Sequence, residues 1–139
     1  MVRLLLVLLI VHGIALSATA EEARPHQAAC DRAKLPGRGY IECLEQTLRA
    51  TDEKVESAHA RAIAAIEARA DLTSTQRTRW RNVLEEARAL FVRFRNFECQ
   101  NVAPYEGEAG RIGAFEQRLA CLIDKNAARA RDLQVRYGQ

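Results

Sequence analysis

The stretch Ala87-Arg88-Ala89-Leu90-Phe91-Val92-Arg93-Phe94-Arg95-Asn96-Phe97-Glu98-Cys99 combines one apolar helical face, closely spaced arginines and a cysteine. Working outward, its apolar positions continue backward through Leu84, Val83 and Trp80 at steps of three and four residues, the period of a helix with one apolar side. Thr73 and Gln76 have capping-box spacing, in which each side chain satisfies the other's exposed backbone N–H, so the helix is expected to begin there. It should fade between Cys99 and Pro104, because the residue before a proline is pushed out of helical geometry. The expected core stripe is Trp80, Leu84, Ala87, Phe91 and Phe94, widened by Val83 and Leu90.

Two further helices flank it. From Tyr40 to about Ala70, the positions Ile41, Leu44, Leu48, Thr51, Val55, Ala58, Ala62 and Ile66 recur along one stripe. After Gly113, the positions Phe115, Leu119, Leu122, Ala130, Leu133 and Tyr137 do the same. Between the second and third helices, residues 101–113 contain Pro104, Gly107, Gly110 and Gly113, making this the one internal loop long enough to be shaped for contact. No run shows sustained strand alternation. The expected fold is therefore all-α, an antiparallel three-helix bundle over residues 40–139, preceded by an irregular segment 21–39 broken by Pro25, Pro36, Gly37 and Gly39.

Residues 1–20 read as a signal peptide. Arg3 supplies the positive start, Leu4 to Ile14 the apolar run, and Ala18-Thr19-Ala20 the small-residue cleavage site. The run is short for a membrane span of about 20 apolar residues, which leaves an uncleaved anchor as the competing reading. Cleavage after Ala20 predicts a periplasmic or secreted protein with no stable span. All four cysteines, Cys30, Cys43, Cys99 and Cys121, follow the cut, and an even number in an exported chain points to two disulfides with three connectivities available. The pairs Cys30–Cys43 and Cys99–Cys121 would each close a local loop at a helix boundary. That is the preferred pattern, while Cys43–Cys99 is also feasible if those helix ends meet, and sequence alone does not choose. No paired metal-ligand spacing exists, so neither a metal nor a cofactor is expected.

Without Arg3 the chain has 20 basic and 18 acidic residues, a balance that does not steer it toward nucleic acid. Arg77, Arg81, Arg88 and Arg95 lie along one flank of the second helix, roughly 60–100° from the centre of its stripe on ideal geometry. Their heads can pair with acids on adjacent helices, or can form a rail for an anionic ligand. In an antiparallel bundle Asp52 comes within reach of Arg95, and the two are expected to form a structural ion pair. An enzyme is not expected. Glu85 and Glu86 point about 100° apart on a helix, His59 sits at the edge of an apolar stripe where a structural role suits it, and no nucleophile, base and orienting group can be assigned.

The pattern Ala87-x-x-x-Phe91-x-x-Phe94-Arg95-Asn96-x-Glu98-Cys99 resembles the signature of the LprI-like lysozyme-inhibitor family, Ala-Gln-x-x-Trp-x-x-Tyr-Arg-Asp-x-x-Cys. Cys43 followed by Asp52-x-x-Val55 is similar to the family's cysteine and Asp-x-x-Leu-Asn segment, and Gly107 to Gly110 with Cys121 to its glycine-containing loop and late cysteine. The resemblance covers most of the mature chain. It departs from the family at Arg88 for glutamine, Phe91 for tryptophan, Phe94 for tyrosine, Asn96 for aspartate, Glu56 for asparagine and His59 for tyrosine. The aromatic exchanges keep bulk while removing polar handles.

The resemblance implies an exported, disulfide-stapled helical domain, some of whose relatives bind and inhibit lysozyme. Inhibition requires an element that fills a concave glycan cleft and meets its carboxylates. The loop 103–113 is the candidate, with Tyr105 as rigid aromatic contact, Arg111 as charge-assisted donor and Glu106 beside them. A chain that is itself mildly basic gains no long-range attraction to a cationic lysozyme, so local complementarity must carry affinity. The alternative expectation is a cell-envelope helical protein that has a structural or self-associating role and does not inhibit.

Overall fold

A computed structural model describes residues 24–106 and 113–138. The expected signal peptide, together with Gly107, Gly110 and Arg111, lies outside the described residues. Among the described residues five helices follow one another: α1 (Pro25–Ala29), α2 (Arg38–Glu67), α3 (Ser74–Asn101), α4 (Ala103–Glu106) and α5 (Ala114–Tyr137). No strand occurs among the described residues. The three long helices make the bundle, and α2 packs most extensively on α5.

Local signals set the helix ends. Gly37 adopts φ 61°, a left-handed conformation that suits glycine, and α2 starts directly after it. At α3 the capping box forms in full, with the Gln76 N–H donating to Thr73 Oγ1 (3.3 Å) and the Thr73 N–H donating to Gln76 Oε1 (2.9 Å). Gly138, at φ 67°, ends α5. In the α2–α3 connection, Arg69 donates twice to Asp71 (2.7 and 2.6 Å) and holds that carboxyl down to about pKa 2 by favouring its charged form.

Directions follow from the ion pairs. Glu67 meets Arg81, Glu56 meets Arg88 and Asp52 meets Arg95, so residue numbers rise on one helix as they fall on the other, and α2 and α3 are antiparallel. Trp80 against Tyr137, Glu98 against Lys125 and Cys99 bonded to Cys121 show the same for α3 and α5. Arg81, Arg88 and Arg95 therefore pair with acids on α2, while Arg77 donates to the carbonyls of Arg69 and Leu72. The heads of all four flank arginines have partners inside the chain.

The interior has two apolar layers. One joins Val55, Ala58, Ala62 and Ile66 of α2 to Leu84 of α3 and Ala130 and Leu133 of α5, with Phe91 packed against it. The other joins Tyr40 and Leu44 of α2 to Cys30 and to Leu119 and Ile123 of α5. The expected stripes of α2 and α5 are largely buried, with Ile41, Leu48 and Tyr137 partly so and Phe115 exposed.

Two expectations need correction. The segment 21–39 is not irregular throughout, because Pro25–Ala29 forms a helical turn. Proline is well suited to the first helical position, and His26 docks this turn by donating its backbone N–H to Asp124 Oδ1 (3.0 Å), with its ring Nδ1 2.8 Å from Asp124 Oδ2. The α3 stripe is not a core stripe as a whole. Leu84 is buried, Ala87 and Phe91 are partly buried, and Trp80, Val83, Leu90 and Phe94 are exposed. The α2 and α5 faces meet through the small residues Ala58, Ala62 and Ala130, so α3 covers their seam from outside with one edge of its wide stripe.

Candidate functional site

Between the two apolar layers lies a polar one, built from all three long helices. Arg95 Nη1 donates to Asp52 Oδ1 (2.9 Å) and to Asn126 Oδ1 (2.6 Å). Asn126 Nδ2 donates to Asp52 Oδ1 (2.8 Å), with Thr51 Oγ1 at 3.4 Å, and Thr51 donates its hydroxyl to the Leu48 carbonyl. Asn126 is fully enclosed, so its amide has to be satisfied within the protein, and this network satisfies both ends. The remaining guanidinium nitrogens of Arg95 donate to Asn96 Oδ1. Its head also lies 5.9 Å from the centre of the Phe91 ring, with Arg129 at 5.7 Å from the same ring. The arrangement holds helices in register. Each side-chain nitrogen of Arg95 is directed at an acceptor within the protein.

The other candidate is the element that follows α3. The disulfide Cys99–Cys121 fastens the last turn of α3 to α5, and Lys125 Nζ lies 2.9 Å from Glu98 Oε1 beside it. Asn101 donates to the Phe97 carbonyl, Val102 closes the helix with a bond to the Glu98 carbonyl, and Pro104 sits within the short α4. Ala103 is turned inward and buried, whereas Tyr105 is 88% exposed with Glu106 exposed beside it. A large aromatic ring is thus held almost wholly in solvent on a short helix that begins four residues after the disulfide-bonded Cys99. Arg111, the expected charged companion, lies outside the described residues.

The remaining cysteines form Cys30–Cys43, which ties the α1 end to α2. His59 is buried with Glu85 Oε2 3.8 Å from its Nε2, beyond hydrogen-bond distance, and no other partner among the described residues reaches that nitrogen. No group of three or more His, Cys, Asp or Glu side chains suited to a metal ion occurs among the described residues.

A family model described as lysozyme inhibitor LprI matches residues 30–133. The chain belongs to the LprI lysozyme inhibitor family. The matched span opens at the first bonded cysteine and takes in both disulfides, the Arg95 layer and α4. Comparison with curated proteins and with solved structures finds no match. Arg88 and Glu56, two positions at which the sequence departs from the expected signature, pair with each other across α3 and α2. Two disulfides and LprI membership are features of an extracytoplasmic protein.

Sequence reasoning did not identify Asn126, His26 or Asp124. Asn126 was detectable as the one amide set in the apolar stripe of α5, between Ile123 and Ala130. The His26–Asp124 contact joins residues 98 apart, and nothing local announces it.

Proposed function

We propose that the mature chain, released by cleavage after Ala20, is a periplasmic or secreted protein-binding module that inhibits lysozyme by presenting α4 to the enzyme's glycan cleft. LprI membership supports the class of target. The observation that carries the choice of surface is the exposure of Tyr105 on an element anchored by Cys99–Cys121. A fully solvated tyrosine on a pre-ordered turn loses little conformational entropy on docking and offers a large flat contact, the character of an interface anchor. Glycan clefts of lysozymes are concave and carry two carboxyl groups. Tyr105 would enter as the apolar plug, and Arg111 would supply a donor to a carboxylate. No catalytic step by this chain is part of the reading.

Calorimetric titration of the purified, oxidised mature chain against a panel of animal lysozymes tests it. The expected result is a one-to-one complex with at least one of them, weakened about 10- to 100-fold by Tyr105→Ala, as truncation of a central aromatic anchor requires. Absence of binding across the panel, or binding indifferent to Tyr105, overturns it. A second reading, self-association, is favoured by the exposed apolar side of α3.

A further inference from the structure

On α3 the exposed side chains Val83, Leu90, Phe94 and Phe97, with half-covered Ala87 and Trp80, recur at alternating steps of three and four. This is the seam of a coiled coil: Trp80, Ala87 and Phe94 take one core position of the heptad, and Val83, Leu90 and Phe97 the other. The stripe is separate from the edge of α3 that carries Leu84 and Cys99 inward, and α5 touches only its margin, through Tyr137 beside Trp80 and Lys125 beside Phe94, leaving Val83, Leu90 and Phe97 more than half exposed. Soluble proteins rarely leave a row of this kind open, and two phenylalanines more than half exposed mark it as an interface.

We infer that this face pairs with a second copy of the same chain, α3 against α3 in antiparallel orientation about a two-fold axis near residues 88 and 89. In that register Ala87 meets Leu90 of the other copy, Val83 meets Phe94 and Trp80 meets Phe97, so small side chains oppose large ones in each of the first two layers. The charges flanking the seam select the same arrangement. Glu86 of one copy lies across from Arg93 of the other, twice by symmetry, and Arg79 faces Gln100, so no like charges meet along that flank. A parallel pairing would set Glu86 against the apolar Phe91 position and leave it without a partner. The five largest seam residues expose on the order of 500 Å² in each copy, and the stems of the flanking arginines bring this toward the ~800 Å² per partner of a standard interface. Tyr105 lies beyond the last layer, so dimerisation would present two α4 elements at opposite ends of the pair.

Sedimentation of the oxidised mature chain over a wide concentration range tests the proposal. The expected result is a reversible monomer–dimer equilibrium. Leu90→Asp should raise the dimer dissociation constant at least ~100-fold, since it buries a carboxylate against Ala87 of the other copy in each of the two central apolar layers, while circular dichroism shows unchanged helicity. Glu86→Arg and Arg93→Glu should each weaken the dimer about tenfold, and the double variant should restore it to within about threefold, because antiparallel pairing exchanges the same two partners. A chain that stays monomeric at millimolar concentration overturns the inference. So does a dimer indifferent to Leu90→Asp, or one that the double charge exchange fails to restore. If Leu90→Asp abolishes lysozyme binding by a monomeric chain, the face belongs to lysozyme and the self-pairing is refuted.

Discussion

Arg95 and Asn126 divide the interior, and their substitution should be costly in proportion to what is left without a partner. Arg95→Ala removes donors from Asp52 and Asn126 and leaves the enclosed Asn126 Oδ1 unsatisfied, for an expected loss of about 2–3 kcal/mol in chemical denaturation. Asp52→Asn retains an oxygen that can accept from Arg95, and should cost roughly 1 kcal/mol or less. Tyr40 makes a different prediction. Its phenol is buried, which raises its pKa above the ordinary 10.0 because desolvation disfavours the phenolate. The unfolded chain then ionises first as pH rises, so the contribution is fully present below about pH 10 and is lost through the folded-state value. Tyr40→Phe should flatten the alkaline fall in stability, measured by denaturation between pH 9 and about 11.5. The Asp52–Arg95 contact was legible because it needs only helix ends and an antiparallel turn. The third member, Asn126, comes from a helix whose rotation no local pattern fixes.

Among the elements, α3 shows the limit of periodicity. The repeat of Trp80, Leu84, Ala87, Phe91 and Phe94 correctly gives a helix, and its capping box gives the starting residue. Periodicity aligns side chains along one side of a cylinder, but the neighbours decide how much of that side is covered. Here α2 and α5 approach closely through alanines, so α3 inserts Leu84 and one edge of Phe91 and keeps the rest outside. A helix with so little buried apolar area depends more than α2 or α5 on its own ends. Thr73→Ala should therefore cost about 1 kcal/mol and be felt first as fraying of the Ser74 end, read by hydrogen exchange of the first-turn amides. The equivalent local signal at the start of the chain, Pro25 in a polar segment, is too short to distinguish a helical turn from a coil, and only docking of His26 on Asp124 decides it.

At the scale of the molecule, a short chain with two thin apolar layers relies on covalent ties. Cys30–Cys43 and Cys99–Cys121 span 13 and 22 residues. Each should contribute about 3 kcal/mol by restricting the unfolded chain. The second also anchors α4, so stability and presentation of Tyr105 are linked through one bond. The cysteine spacing left the connectivity open, and the packing of α3 against α5 resolves it. The presentation of the candidate loop was readable only as composition, proline and glycines beside an aromatic, because exposure depends on where Ala103 is buried. The proposed role of the oxidised chain is inhibition of lysozyme through α4. Its most direct measurement is the rate at which lysozyme clears a cell-wall suspension when the oxidised mature chain is added at stoichiometric amounts. The predicted result is slowed clearing that Tyr105→Ala with Arg111→Ala abolishes while helicity is kept, and an unchanged clearing rate at large excess of the wild-type chain would contradict it.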